Sequence, residues 1–316
     1  MYHRVANLES DIWEISVSPA NFEQHIALLK KKGNVIPLRE LAERVAEKKL
    51  KRRSIAITFD DGYEDNFLTA KPLLEKYQLP ATFFITSGNI GTEKEFWWDE
   101  LEHVLLYTER LPQALSITLG DQALSYNLHS EALLNEPLRQ KHISWRACTE
   151  PPPSLRATLF YRLWEELRPL PYTEQQTQLQ KIREWAGVAQ GGRPENRSMS
   201  EEQLKELGQH RLFTIGAHTV THPALAFHDR PYQQQELTVN KDFLEKITGQ
   251  EIQLLAYPFG NYDAESVAAA ASTPFRAAFT TEEAPIKRQA HPHRLGRYQV
   301  KNLTISDFEK NLSRWE

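Results

Sequence analysis

The stretch Ile55-Ala56-Ile57-Thr58-Phe59-Asp60-Asp61-Gly62-Tyr63 decides how the rest of the chain is read. Five β-prone residues run into two adjacent carboxylates and then a glycine. In parallel sheets the ligands and reacting groups gather at the C-terminal ends of the strands. Along an extended strand the two Asp side chains would point apart, but Gly62 lets the backbone turn sharply just after them. Two neighbouring carboxylates repel, so keeping both ionised calls for a cation nearby. Taken alone, the pair reads more readily as a turn or helix cap.

Outward from this stretch, short apolar runs alternate with helical patterns. The pattern predicts strands at Asn34–Leu38, Ile55–Phe59, Ala81–Thr86, Leu212–Ala217, Leu254–Tyr257 and Arg276–Thr280. It predicts helices at Arg39–Lys49, Asn66–Tyr77, Tyr232–Thr248 and Asp263–Ala271. Continuous apolar strands separated by helices imply parallel strands covered by helices, as in a barrel or a doubly wound sheet. Between residues 92 and 199 the alternation stops. Helical stretches at Trp98–Tyr107, Glu131–Ala147, Ser154–Leu167 and Thr173–Ala186 are predicted there, with a hairpin turning at Gly120-Asp121 between arms Ser116–Leu119 and Ala123–Leu128. Pro151-Pro152-Pro153 separates two of these helices, and Ser200-Glu201-Glu202-Gln203 reads as a capping box that restarts the pattern. The expected organisation is a barrel-type domain from residues 1–91 and 200–316 with an inserted, mostly helical subdomain at 92–199.

A second constellation, Phe213-Thr214-Ile215-Gly216-Ala217-His218-Thr219-Val220-Thr221-His222-Pro223, ends a predicted strand in a His-x-x-x-His pair. That spacing lets both imidazoles reach one metal ion. The helix-borne pair of zinc proteases does not apply, because position 219 is Thr and Pro223 biases His222 away from helical angles. Two histidines capping a loop remain the competing reading. Together, the paired carboxylates and paired imidazoles offer an Asp/His/His ligand set with coordination positions left for water and substrate. The formal net charge of −4 shows no bias toward a basic, nucleic-acid-binding face. No apolar run reaches the length of a membrane span. Cys148 is the only cysteine, so no internal disulfide forms. A cytoplasmic enzyme with no nucleic-acid partner is expected. The sequence says nothing of the oligomeric state.

At this point Thr58-Phe59-Asp60-Asp61-Gly62 and His218-Thr219-Val220-Thr221-His222 resemble the first two motifs of the polysaccharide deacetylases, the NodB-homology or carbohydrate esterase family four proteins. Tyr257-Pro258-Phe259-Gly260 resembles the third motif, and Tyr2-His3-Arg4-Val5 a strand-end motif of one bacterial subgroup. Phe96-Trp97-Trp98-Asp99-Glu100-Leu101 is similar to a further feature of that subgroup. Outside the insertion, the resemblance covers the whole chain. It implies an α/β fold, a distorted (β/α)7 barrel, and metal-dependent removal of N-acetyl groups from a sugar unit of a polysaccharide or glycan precursor. By resemblance, Asp61, His218 and His222 hold a divalent metal, usually zinc. Asp60 is then the general base, and the Phe259 backbone N–H stabilises the oxyanion.

The chain departs from the family pattern at Ala256, where typical members carry an Arg that steadies the catalytic Asp. Arg294 or Arg297 could supply that charge from later in the chain, and Arg297 is taken as the candidate. The segment that usually carries the acid is not recognisable; His293 is the candidate by position, ahead of His291, and exposed loop histidines are the alternative. His3, Tyr63 and Tyr262 are candidates for contact with a carbohydrate substrate, while Trp97 and Trp98 read as packing. Only Met1 precedes Tyr2-His3-Arg4-Val5, so the first strand is either cut short or begins upstream of this numbering. An O-acetyl esterase and a catalytically weak carbohydrate-binding protein of the same fold are the alternative functions.

Overall fold

A computed structural model describes residues 1–51, 53–119 and 122–315. Five short strands pair in one parallel sheet: β1 Ile57–Phe59, β2 Ala81–Ile85, β3 Phe213–Ala217, β4 Leu254–Ala256 and β5 Ala277–Phe279. Their order across the sheet is their order along the chain. A doubly wound sheet reverses strand order at a switch point; this one does not, so it curls in one direction as a barrel does. Tyr2 bridges Phe59 on one edge and Leu295 bridges Phe279 on the other, both parallel. The two edges then meet, since Val300 N–H donates to the Met1 carbonyl at 2.9 Å and the Met1 ammonium donates to the Tyr298 carbonyl at 2.8 Å. Seven chain segments therefore make the ring, the distorted α/β barrel that the resemblance implies and one of the two folds that the alternation allows.

Strands buried on both faces are mostly apolar, and β1, β2 and β4 are buried at every residue, with Thr58 and Thr82 as their polar members. An aromatic spine crosses the sheet: Phe59 stacks on Phe83 at 4.8 Å and on Tyr2 at 5.5 Å. Each such ring contributes about 1.5–3 kcal/mol by burial, with about 0.5–1.5 kcal/mol more per well-oriented pair. This spine fixes the segment around Tyr2 against β1, and so brings His3 to the same end of the barrel as Asp60 and Asp61. At Gly216 an added Cβ would lie 2.5 Å from the Phe84 ring, so only glycine lets β3 pack there.

Among the described residues, seven α-helices accompany these strands: α1 Pro19–Lys32, α2 Leu38–Ala46, α3 Lys71–Tyr77, α4 Glu201–Gln209, α5 Arg230–Thr248, α6 Ala264–Ser272 and α7 Ile305–Trp315. Their starts follow the chemistry of exposed N–H groups. Ser200 and Gln203 form the expected reciprocal capping box, Asp229 caps α5 through the Tyr232 N–H, and Asp263 caps α6. Residues 66–77, expected as one α-helix, begin instead with a π-helical turn at Asn66–Ala70. Pro72 has no N–H for a bond to the residue-68 carbonyl, and the wider turn gives its ring room.

The chain divides into two compact units, one of residues 1–7, 15–92 and 198–316, the other of residues 8–14 and 93–197. In the second unit, helices Leu155–Leu167 and Tyr172–Ala186 accompany an antiparallel pair, Ala114–Leu119 with Gln122–Asn127. The expected turn at Gly120-Asp121 lies outside the described residues. Glu131–Ala147, expected as one helix, is α-helical only from Glu136 to Ser144, after a 3-10 turn at His129–Ala132, because Asn135 caps a fresh start with Pro137 behind it. Arg156 is fully buried, and its guanidinium donates to the carbonyls of Leu105, Thr108, Glu131 and Ala132. Leu105 belongs to a second π-helical turn, His103–Tyr107, which ends the stretch expected as one helix at Trp98–Tyr107.

Candidate active site

Asp60 and Asp61 follow β1 directly, at the C-terminal end of the sheet, and Gly62 turns the chain away at φ 93°. The Asp60 carboxylate is 2% exposed and accepts both terminal N–H groups of Arg297, each at 2.7 Å. Such a fork is the strongest common geometry for a carboxylate. Arg297 is itself oriented by its Nε donating to the Thr280 carbonyl at 3.1 Å, and its guanidinium lies 5.2 Å from the centre of the Phe84 ring. Burial pushes the Asp60 carboxyl up, but the charge and hydrogen bonds of Arg297, with His218 and His3 near, outweigh it and hold the group below the usual carboxylate range. These contacts favour the ionised form of a buried carboxylate. Ala256, where the family pattern carries its Arg, is fully buried, and the guanidinium arrives from residue 297 instead. Arg294 goes elsewhere, 5.9 Å from the Tyr262 ring.

Asp61, His218 and His222 converge. Asp61 Oδ1 lies 3.4 Å from His218 Nε2 and 3.3 Å from His222 Nε2. One ligand atom from each of the three falls within 4.8 Å of the others, and all three residues are buried. His218 Nδ1 is 2.8 Å from the Ala256 carbonyl oxygen, so this nitrogen carries a proton and Nε2 is the atom turned to the shared space. Burial lowers the His222 pKa although Asp61 opposes it, and a neutral imidazole is the form that binds metal. The Asp61 carboxyl is raised by burial but brought well below its ordinary range by the two imidazoles. One anionic oxygen and two imidazole nitrogens, already aimed at one another, suit a divalent ion of zinc's preferences.

The backbone here is strained in a concentrated way. Asp61 (φ 76°), Thr219 (66°), His222 (57°) and Phe259 (56°) all adopt left-handed angles, costing about 1–2 kcal/mol each for L-residues. Phe259 sits in the Pro258–Gly260 turn after β4, its ring edge-on to His222 at 4.4 Å. That turn brings Phe259 beside His222.

The remaining candidates separate. His3 is placed with the cluster: burial lowers its pKa, the charges of Asp61 and Asp60 raise it, and Arg297 and His218 lower it. Its Nδ1 is buried without a hydrogen-bond partner. His293 is not brought to the cluster. Its Nε2 bonds the carbonyl of Phe275, ahead of β5 and at the opposite end of the sheet from the carboxylates. Nor does Tyr63 show an open face, since it is fully buried with the Arg4 guanidinium 4.3 Å above its ring. Tyr262 is half-buried, stacked on Tyr257 at 4.9 Å, and donates to Glu282 at 2.6 Å.

Two supporting groups escaped the sequence reading. Asp65 accepts from the Val5 N–H and from Arg4 Nε, both at 2.9 Å, while Asn66 donates to the His3 carbonyl at 2.7 Å. On α5, Glu236 and Asn240 bond the backbone of the His218–His222 loop. The signal for the second pair was available: Gln233, Glu236 and Asn240 are polar residues spaced on the same stripe of a helix as Leu237 and Leu244.

Against known proteins, a model of the family described as polysaccharide deacetylase matches residues 47–106 and 176–278, just over half of the chain. A Bacillus subtilis protein, YxkH, named for polysaccharide deacetylation, is 22% identical over 95% of this chain and 70% of its own length. A poly-β-1,6-N-acetyl-D-glucosamine N-deacetylase of Staphylococcus aureus is 38% identical over 84 residues, 26% of this chain and 29% of its own length. Among solved structures, the deacetylase PplD of Streptococcus pyogenes superposes with a TM-score of 0.59 at 17% identity, covering 99% of this chain and 96% of its own. IcaB from Ammonifex degensii superposes at 0.58 and 15% identity, covering 99% and 93%. With the parallel barrel, the carboxylate pair and the two histidines in the order the family shares, the chain belongs to the polysaccharide deacetylase family.

Proposed function

We propose that this protein is a metal-dependent N-deacetylase acting on an N-acetylated sugar unit of a polysaccharide or glycan precursor. The observation that carries the reading is the ionised, Arg-clamped Asp60 next to the convergent Asp61/His218/His222 set. A divalent metal held by those three residues, zinc by the nature of the donors, would supply a Lewis acid for the acetyl carbonyl. Asp60 takes a proton from the attacking water as its oxygen bonds the carbonyl carbon. Arg297 keeps the carboxylate charged and fixes the direction in which it accepts. The Phe259 N–H donates to the carbonyl oxygen as negative charge grows there. The C–N bond then breaks and its electron pair stays on nitrogen, which needs a proton to leave as an amine. His3, in preference to His293, is placed to pass on to that nitrogen the proton that Asp60 took from the water, because His3 lies beside Asp60 and Asp61. Acetate and a free amino sugar are the products. Poly-N-acetylglucosamine is the first substrate to test, on the strength of the Staphylococcus aureus relative's name.

The test is acetate release by the zinc-loaded protein from N-acetylglucosamine oligomers, with an O-acetylated sugar in parallel. Release from the amide supports the reading. Release from the ester alone makes the protein an O-acetyl esterase, and sugar binding without release from either makes it a binding protein.

A further inference from the structure

The ligand loop His218–His222 carries strain at two of its five residues, Thr219 and His222. A strained loop persists only where its surroundings over-determine it, so the groups that hold it are identifiable. Inside the loop, Thr219 Oγ1 accepts the His222 N–H at 3.0 Å. On one flank Ser87 N–H donates to the Thr219 carbonyl at 3.2 Å and Gly88 N–H to the Val220 carbonyl at 2.7 Å. On the other flank stands α5. Glu236, 7% exposed, accepts the Val220 N–H at 2.8 Å and the Thr221 N–H at 2.9 Å on Oε2, and the Thr221 hydroxyl at 2.8 Å on Oε1. One turn along, Asn240 accepts the His218 N–H at 3.1 Å and donates to the Ile85 carbonyl at 3.1 Å and Ser87 Oγ at 2.9 Å.

We propose that Glu236 and Asn240 are positioning residues that hold the His218–His222 loop in its strained, ligand-ready form before any metal arrives. Metal affinity then depends on a carboxylate that touches neither the metal nor its ligands' side chains. The inference rests on the Asp61/His218/His222 reading and deepens it. Two successive N–H groups aimed at one carboxylate oxygen force the backbone at Val220 and Thr221 to one side, and this sets the direction from which both imidazoles face Asp61. Without Glu236 the loop can relax its left-handed residues, and binding must restore them. Loss of outer groups that orient ligands typically weakens metal binding about 10–100-fold.

The experiment measures zinc affinity of the full, chelator-stripped chain by competition with a chromophoric chelator, well below the melting temperature. Glu236→Ala and the shape-preserving Glu236→Gln, which sets an amide N–H₂ or a weaker acceptor against two N–H donors, are compared with wild type. The solvent-facing Gln235→Ala, on the same helix, serves as control. Weaker zinc binding by about 10–100-fold in both Glu236 variants, with Gln235→Ala at wild-type affinity, supports the proposal. The cobalt(II) visible spectrum of the Glu236→Gln protein should change as well, which a merely lowered melting temperature would not produce. If Glu236→Ala does not fold, Glu236→Gln alone decides. Wild-type affinity and spectrum in a folded Glu236 variant overturn the proposal, as does equal weakening in Gln235→Ala. A wild-type chain that binds no zinc overturns the metal reading itself.

Discussion

Asp60 in the barrel unit is a buried carboxylate and Glu102 in the second unit a half-buried one, and the molecule treats them in opposite ways. Asp60 receives a bidentate guanidinium and is held ionised below its ordinary range. Glu102 accepts a single serine hydroxyl, from Ser10 at 2.7 Å, and burial with Asp99 and Asp11 nearby pushes its pKa up to about 7. The arginines differ in the same sense. Arg297 spends its fork on one carboxylate, whereas the guanidinium of the buried Arg156 donates to carbonyls, with its pKa lowered to about 10 by burial. Burial alone therefore does not mark a catalytic acid or base. What marks Asp60 is burial with a charge partner that preserves the reactive form, next to a second set of converging ligands.

The comparison breaks most visibly at Asp60. Asp60→Asn keeps the shape and removes the base, so deacetylation should fall by about 10²–10⁴-fold while zinc content, measured by metal analysis, stays at the wild-type level. Retained turnover would remove Asp60 from the mechanism. A smaller loss, on the order of 10²-fold, is expected for His3→Gln on an N-acetyl sugar, with little loss on an activated aryl acetate, whose leaving group needs no proton. Equal losses on both substrates would argue that His3 binds rather than donates. Arg297→Met leaves Asp60 buried without its partner, an arrangement that typically costs about 3–5 kcal/mol. The Asp60 carboxyl should then titrate higher, so the acid limb of the pH–rate profile moves to higher pH. An unmoved limb would mean that Arg297 does not set the charge state of Asp60.

Much of this contrast was legible in the sequence, and the illegible part has a physical reason. Asp60, Asp61, His218 and His222 announce themselves because short apolar strands end in them, and ligand spacing is a local property. Most strand positions were legible for the same reason, since β2 and β3 are runs rich in apolar and β-branched residues, although the expected Asn34–Leu38 is a strand only at Asn34–Val35. Arg297 could only be named together with Arg294, since choosing between them requires knowing which one reaches across the barrel. His293 drew attention because it precedes that segment, yet three-dimensional register sends its ring to the far end of β5. Glu236 and Asn240 were invisible as function because a helix pattern reports what is buried, not what a buried polar group holds. The assignment of residues 8–14 to the second unit follows from contacts across more than eighty residues of chain, as in the bond between Ser10 and Glu102, and no local pattern encodes it.

The smallest expected effect tests the other half of the comparison. If Glu102 is a structural carboxyl, its ionisation matters to folding and not to turnover. An unfolded chain releases its proton near the ordinary value of 4.5, whereas the folded chain holds it until about 7. The folded state thus binds the extra proton between those values, so this contribution to stability is fully present below about 4.5 and is lost as the pH rises through about 7. Thermal melts of the full chain from pH 5 to 8 should show a decline that Glu102→Gln, neutral throughout, makes shallower. Deacetylation by Glu102→Gln, measured well below its melting temperature, should match wild type. An unchanged slope would show that Glu102 is not the group responsible. A large loss of turnover in the folded variant would give the second unit a part in the chemistry, and the division of labour between the two carboxylates would fail.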